Sequence, residues 1–436
     1  MAHSSTLANR ILWGLAVGIG AGILTLLVGA SHPTILSGAR TVATEVLDPL
    51  GQVFLRLLFF VVIPLVFASL ASGVAQLGRL DRLGPLAMRS FSLFTLNMCI
   101  GVCLGLLVMN LLQPGQHLGE EARSLLMREY GGHAQQAVSA SSERPVFSLM
   151  LLVDMFMPRN LFGAFIGQHR GALGEVLPLI LFAILAGAAA TRLSEDRRVR
   201  FLAGMETVND IMTGIVGIAL RLAPIAVPAM IYSVIVKVGA GIFITLAVFV
   251  LGCAGALLLQ LFGTMSLWLR FLARRRPLEF FRQIRPVLIT AFSTSSSSAS
   301  LPTSLAIARE ELKLRPATAG FVLPLGATMN MSGTALFEGC VVLFVAQAFG
   351  VELSLAQQAL LMLLAVLSAV AVAGIPGGSL PLIAGLLATF GVPPEGIGIV
   401  LGVDRLLDML RTTVNVGSDI VVATVVDARS GVDEAG

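Results

Sequence analysis

Charge is scarce in this chain: Asp, Glu, Lys and Arg together make up 12% of its 436 residues, about half the share of an ordinary soluble protein. That scarcity excludes a soluble domain of this size. With 56% hydrophobic residues and a mean hydropathy of +0.90, it defines an all-α polytopic membrane protein. Cysteine is sparse too. Cys99, Cys103, Cys253 and Cys340 lie in apolar segments without metal-ligand spacing, which excludes a disulfide framework and a cysteine metal site. The histidines (His3, His32, His117, His133 and His169) all lie in terminal or loop regions, so the spans contain no imidazole base. The net charge of +4 is no nucleic-acid signal. It comes from arginines flanking apolar spans, at Arg79, Arg82 and Arg89, at Arg192, Arg197, Arg198 and Arg200, and from Arg270 to Arg285. By the positive-inside rule these clusters, and with them the N-terminus, face the cytoplasm. The stretch from Ile11 lacks a cleavage site and reads as an uncleaved first span. An arginine-rich, lysine-poor chain of this kind fits a bacterial inner membrane.

Continuous apolar spans are predicted at about 11–30, 53–77, 86–112, 172–192, 202–233 and 238–268. The polar segment 113–146 reads as an external loop, and 147–168 as an amphipathic interfacial or broken segment. After residue 278 the pattern changes. Apolar stretches are broken by Ser293–Ser300 with Leu301 and Pro302, by Asn330–Thr334, and by Gly374–Ser379 around Pro376. Non-helical backbone at membrane depth is tolerated only where it is buried or lines a cavity. Paired breaks in one region point to inverted repeats whose half-helix ends meet at a substrate. Two re-entrant hairpins are therefore predicted, at 279–312 and 355–392. The alternative for the serine run is a flexible loop.

The last span, 401–426, carries Asp404, Arg405, Asp408, Arg411, Asn415 and Asp419. At 100° per residue, Asp404, Asp408, Arg411, Thr412, Asn415 and Asp419 share an arc of about 100°. Each charge at bilayer depth costs roughly 2.5–3.5 kcal/mol. Such a stripe is either a self-paired interhelical seam or a substrate and ion pathway. Its surplus of carboxylates favours the pathway.

Four motifs in order, SSSSASLPTSL, LPLGATMNMSGTALFEG, AGIPGGSLPL and VDRLLDMLRTTVNVGSD, resemble the dicarboxylate/amino acid:cation symporter family, the glutamate transporters. They cover 290–427, and IPLVFASL at 63–70 with the LGP…QPG region at 83–115 extend the likeness. The resemblance implies a glutamate-transporter-like fold of eight transmembrane helices and two re-entrant hairpins. It also implies a homotrimer in which a transport domain moves like an elevator past a scaffold. On that map, 1–80 and 116–236 form the external loop and scaffold spans. The transport domain takes the span 81–115 and residues 237–430, with hairpin one at 279–312, the seventh span at 317–350, hairpin two at 355–392 and the eighth span at 396–427.

By the same resemblance Arg411 pairs with the substrate's side-chain carboxylate, for which its planar fork is suited. Asp408 accepts from the α-amino group, Thr412 and Asn415 contact the α-carboxylate and polar parts, and Thr334 the side-chain carboxylate. Backbone amides around Ser296, Ser297 and Ser298 and around Ile375, Pro376 and Gly377 cradle carboxylates at half-helix N-termini. An internal Arg411–Asp408 pair in the empty state is compatible with these roles. An acidic amino acid satisfies both charges, whereas a C4-dicarboxylate leaves Asp408 uncompensated. Aspartate and glutamate remain undistinguished.

The coupling ion stays open. Gly326, Asn330, Asn415 and Asp419 match one sodium site of the family, whereas Ser332 replaces an aspartate of another. Phe94, Asn97 and Met98 stand where that second site offers hydroxyls, and a hard cation needs such oxygens. Glu338, an isolated acid in apolar sequence, matches the position that is acidic in proton-coupled members and is the candidate proton carrier; its alternative is a core carboxyl that never cycles. The predicted activity is proton-driven glutamate/aspartate symport without a resident cofactor, in a lipid bilayer, with sodium-coupled acidic amino acid or C4-dicarboxylate symport as the alternative. An ion channel is the rival of another class, and a serine hydrolase at Ser295–Ser298 lacks a base.

Overall fold

The computed structural model describes residues 2–77, 84–118, 176–239, 241–372 and 379–433, with residues 157 and 160. Among them there is helix and no strand. In chain order the helices are α1 (Ala2–Ser31), α2 (Pro33–Val42), α3 (Asp48–Phe60), α4 (Val62–Leu77), α5 (Gly84–Leu112), α6 (Val176–Ala190), α7 (Glu195–Val238), α8 (Gly241–Leu258) and α9 (Met265–Phe271). Then come α10 (Pro277–Gln283), α11 (Arg285–Thr294), α12 (Ser297–Glu310), α13 (Pro316–Met329), α14 (Ser332–Ala348), α15 (Leu355–Ala371), α16 (Leu380–Thr389) and α17 (Gly398–Asp433). The expected external loop and the segment 147–168 lie almost wholly outside the described residues, as does the breaker from Gly374 to Gly378.

Four segments are long and apolar enough to cross a bilayer: Leu86–His117, Ile244–Phe271, Pro316–Ala348 and Val403–Arg429. Glu195–Ala219 and Arg221–Lys237, bent by 50°, make a fifth. Pro224 and Pro228 lie inside α7, just past this bend; each removes a backbone donor and forces the preceding turn open. The span expected at 53–77 is two helices, divided at Val61; Pro64, in the first turn of α4, has no amide to donate to the Phe60 carbonyl.

Two groups of helices pack within themselves. In the first, α1, α3 and α4 lie along α7, and α4 also packs on α6. In the second, α17 and α14 form the centre, with α5, α8, α11, α12 and α13 around them. Phe337 and Phe344 of α14, Met98 and Val102 of α5 and Phe249 of α8 share one core; Phe249 and Phe344 stack with centroids 4.4 Å apart. A second core joins Phe94, Trp268 and Val322 to Ile420–Val426 at the end of α17.

The helix breaks have local causes. Ser295 ends α11 in the left-handed region at φ 50°, and Ser296 then caps α12 by accepting from the Ala299 amide at 3.2 Å. Helices of 10 and 14 residues reach only about 15 and 21 Å, short of the roughly 30 Å hydrocarbon core. α13 and α14 are parted by Asn330 and Met331 alone. Ser354 starts α15 with a capping box, its hydroxyl accepting from Gln357 N and its amide donating to Gln357 Oε1.

Gly14, Gly18 and Gly22 recur every four residues on α1 and face α7. A Cβ on Gly18 would lie 2.7 Å from Pro228 O and from Ile231 Cγ2, so the absent side chain sets the helix separation. Gly18→Ala should therefore destabilise the protein by about 1–3 kcal/mol through overpacking, read as a lower thermal unfolding midpoint in detergent. Gly20→Ala, which meets no atom within 4 Å, should match the parent.

Candidate functional site

Helix α17 runs unbroken through the charged stripe. Asp404, Asp408, Arg411, Thr412, Asn415 and Asp419 are all buried, and Leu406 between them is exposed. This arc is thus the inward face, and a buried charge there must find a partner within the fold. Arg411 places Nε and Nη2 on Asp408 Oδ1 at 2.9 and 2.6 Å. Its Nη1 donates to Ser379 Oγ at 2.6 Å and lies 3.6 Å from Asp404 Oδ1. The guanidinium sits over Phe337, 4.8 Å from the ring centroid. Arg405 comes to the other oxygen of Asp408, at 3.4 Å. The ion pair of Asp404 thus runs to Arg411.

One turn further on, Asn415 reads the break between α13 and α14. Its Oδ1 accepts from the amides of Gly333 at 2.7 Å and Thr334 at 3.3 Å, and its Nδ2 donates to Thr334 Oγ1 at 3.1 Å. These amides belong to the first turn of α14 and have no helical acceptor of their own. A Cβ on Gly333 would fall 2.5 Å from the Arg411 carbonyl. Only glycine lets the broken strand of backbone lie against α17 here.

The next polar layer is joined through amides. Asn330 Nδ2 donates to Asp419 Oδ1 at 2.8 Å and to Ser418 Oγ at 3.0 Å, and Ser332 Oγ lies 3.0 Å from Ser418 Oγ. Asn97 of α5 donates to Asn330 Oδ1 at 3.1 Å and accepts from Gln260 Nε2 at 2.7 Å. Gln260 belongs to a π-helical turn, Leu259–Thr264, after α8. Of the residues matched to a sodium site, Asn330 and Asp419 touch, and Gly326 lies against Asp419, where a Cβ would fall 2.5 Å from Oδ1. The side chain of Asn415 points instead to Gly333 and Thr334. Gly326 O, Asn330 Oδ1, Asn415 O and Asp419 Oδ1 each accept a protein hydrogen bond already. Among the described residues no three His, Cys, Asp or Glu side chains gather as a metal cluster.

Glu338, one turn from Thr334, is fully buried, and neither carboxylate oxygen has a hydrogen-bond partner. Ser368 of α15 and the Arg411 charge are its polar neighbours, but the Ser368 hydroxyl is itself unpartnered. Around the first break, Thr294, Ser296 and Ser300 hydrogen-bond along the turn, and Ser297 is buried while Ser298 is exposed. Ile375, Pro376 and Gly377 lie outside the described residues. So Asp408, Arg411, Thr334, Asn415 and Glu338 come together around the α13–α14 break, with Thr412 buried beside them.

A paired arginine and aspartate, sealed among broken helices in a polytopic membrane protein, define a carrier for a small charged solute. The comparison with known families agrees: residues 7–429 match the model of the sodium:dicarboxylate symporter family. The chain belongs to that family, whose members move solutes rather than catalyse reactions. It is 30% identical over 426 residues to the proton/sodium-glutamate symport protein of Bacillus caldotenax, covering 97% of this chain and 94% of that protein. The proton/glutamate-aspartate symporter of Escherichia coli (strain K12) is 28% identical, covering 97% and 92%. A C4-dicarboxylate transport protein of Deinococcus deserti is 29% identical, covering 96% and 88%.

Phe337, Ser368 and Gln260 were not singled out from the sequence, and Ser379 and Arg405, though named there, were given no role in the site. Ser379 stands at the N-cap of α16, yet its hydroxyl serves Arg411 and not its own helix. Ser379→Ala would leave a buried guanidinium N–H unpaired at a cost of about 1–3 kcal/mol. The variant should therefore melt below the parent, measured on purified protein in detergent.

Proposed function

We propose that this chain is a secondary active symporter for acidic amino acids, L-glutamate and L-aspartate, driven by protons. The observation that carries the reading is the Arg411–Asp408 pair at 2.6 Å. It is a buried cation and anion, each the complement of one end of a zwitterionic acid. When the solute binds, its carboxylate takes the place of Asp408 on the guanidinium and its ammonium group takes the place of Arg411 on Asp408. Charge is then balanced before and after, which a low-dielectric site requires. Thr334 and Asn415 border the same space, and Thr412 adds a hydroxyl. The amides at Ser296–Ser298 and Ile375–Gly377 close over the substrate from the two hairpins. The relatives named for glutamate and aspartate support this substrate class.

Glu338 is the proposed proton carrier. A fully buried carboxyl with no hydrogen-bond partner is tolerated as the neutral acid and costly as a bare anion. It therefore crosses with its proton and releases it where water enters. Asn330 and Asp419, with Gly326 and Asn415, are the place for a sodium ion under sodium coupling. The fold proposed around these sites has eight spans: the four long helical segments, the bent pair and the shorter apolar helices Ala16–Ser31, Ile63–Ala75 and Leu181–Ala190. Hairpins at 279–312 and 355–392 re-enter the membrane. In a homotrimer, 81–115 and 237–430 move as an elevator past a scaffold of 1–80 and 116–236, with the N-terminus in the cytoplasm of a bacterial inner-membrane protein.

A second reading, C4-dicarboxylate symport, is favoured by Arg405. With its guanidinium 3.4 Å from Asp408 Oδ2, Asp408 keeps a counter-charge even when the solute brings no ammonium group.

Proteoliposomes given labelled aspartate or succinate under a proton gradient, a sodium gradient, both or neither separate these readings. Saturable aspartate uptake driven by the proton gradient is expected. Sodium-only uptake overturns the ion assignment, and succinate uptake exceeding aspartate uptake overturns the substrate. In Glu338→Gln, proton-driven accumulation should be lost while aspartate exchange without a gradient persists; unchanged accumulation removes Glu338 as carrier. Arg405→Gln should spare aspartate, whose ammonium group compensates Asp408, and reduce any succinate uptake.

A further inference from the structure

A second recess lies on the other side of α17. It has a volume of about 270 Å³ and runs between the π-helical turn after α8, one face of α11 and the outer face of α17. Its walls are apolar, contributed by side chains such as Leu258, Phe262, Ile289, Phe292 and Leu410, with Arg285 alone bringing charge. The one other polar side chain, Thr413, donates its hydroxyl to Met409 O at 2.8 Å and offers nothing to a ligand. Arg285, Ile289 and Phe292 stand at i, i+4 and i+7 on α11. The groove therefore follows the helix for about 10 Å from a cationic end to an apolar one.

We propose that this groove holds an acyl chain of an anionic phospholipid, with the lipid phosphate on Arg285. The shape and the charge distribution are those of an amphiphile: a linear apolar slot with one cation at its end. Arg285 is exposed and has no ion pair or hydrogen-bond partner for its side chain among the described residues. It also closes the arginine series that begins at Arg270, the kind of basic cluster that collects anionic headgroups at a membrane surface. Leu258, Phe262 and Ile289 are each about half exposed, so the slot opens sideways to the acyl region, where lipid is the solvent. Its floor is closed: a Cβ on Gly417 would lie 2.6 Å from Leu261 and 3.1 Å from Leu288. A chain can lie in the slot but cannot pass behind α17.

The position gives the lipid a role. Leu410 and Val414 line the slot, and their neighbours Arg411 and Asn415 face the substrate site. The acyl chain thus fills the gap between α11, an arm of hairpin one, and the back of the substrate helix.

Full-length protein in detergent is titrated with phosphatidylglycerol, phosphatidylcholine or inorganic phosphate, and bound lipid is counted by native mass spectrometry. Phosphatidylglycerol should bind in preference to phosphatidylcholine. Arg285→Gln should weaken its retention about fivefold, the worth of one basic residue at an anionic surface. Ile289→Trp, which fills the slot, should displace both lipids, and inorganic phosphate should not compete. Equal binding of the two lipids by the parent, retention unchanged in either variant, or competition by phosphate alone overturns the proposal. Melting temperatures equal to the parent's establish that the variants are folded, and a variant that fails this is replaced by Arg285→Ala or Ile289→Phe.

Discussion

A guanidinium that never meets water must never be without a partner, and the centre of this protein is arranged around that constraint. Arg411 is 3% exposed, and it is held by Asp408 on the same helix, by Ser379 at the head of α16 and by the ring of Phe337 on α14. Three separate elements are thus tied to one side chain. Leaving such a charge unpaired costs several kcal/mol, so exchange of partners is the only inexpensive change available to it. Under the symport proposed above, a solute that enters must offer a carboxylate as good as the one it displaces.

The interrupted helices follow from the same need. A continuous α-helix has no free amides in its middle, so it cannot offer donors at the depth of Arg411. Breaking α13 from α14 frees the amides of Gly333 and Thr334, and Asn415 takes them up. Ser295 and Ser296 do the corresponding work between α11 and α12 by closing one helix and capping the next. The glycines at 326 and 333 have the complementary duty of keeping side chains out of the spaces where α13 and α14 meet α17.

Much of this was legible in the sequence because it violates the ordinary rules for a membrane span. Six polar positions on one arc, and proline, glycine and serine where a helix should continue, are each costly in lipid unless they are used. The inward face of α17 and the breaks at Ser295–Ser296 and Asn330–Met331 appear where those rules place them. What escaped notice obeys no local pattern. Ser379 is one serine after a glycine pair, and its bond to Arg411 spans 32 residues of chain. Arg405 lies about 20° outside the arc by helical arithmetic, and its long side chain folds back to Asp408. Gln260 belongs to a π-turn, a register that a 3.6-residue period cannot anticipate.

Counting the buried charges on α17 leads to a further consequence. Asp404 and Asp408 pair with Arg411 and Arg405, and Asp419 bonds to Asn330, so with all three acids ionised the helix face sums to one negative charge. Each elementary charge carried through the membrane field is worth about 2.3 kcal/mol per 100 mV. An empty carrier that returns across the bilayer with this face buried would be helped or hindered by the resting potential, independently of any gradient of solute or proton. The membrane voltage would then set the pace of the cycle through the protein's own fixed charges.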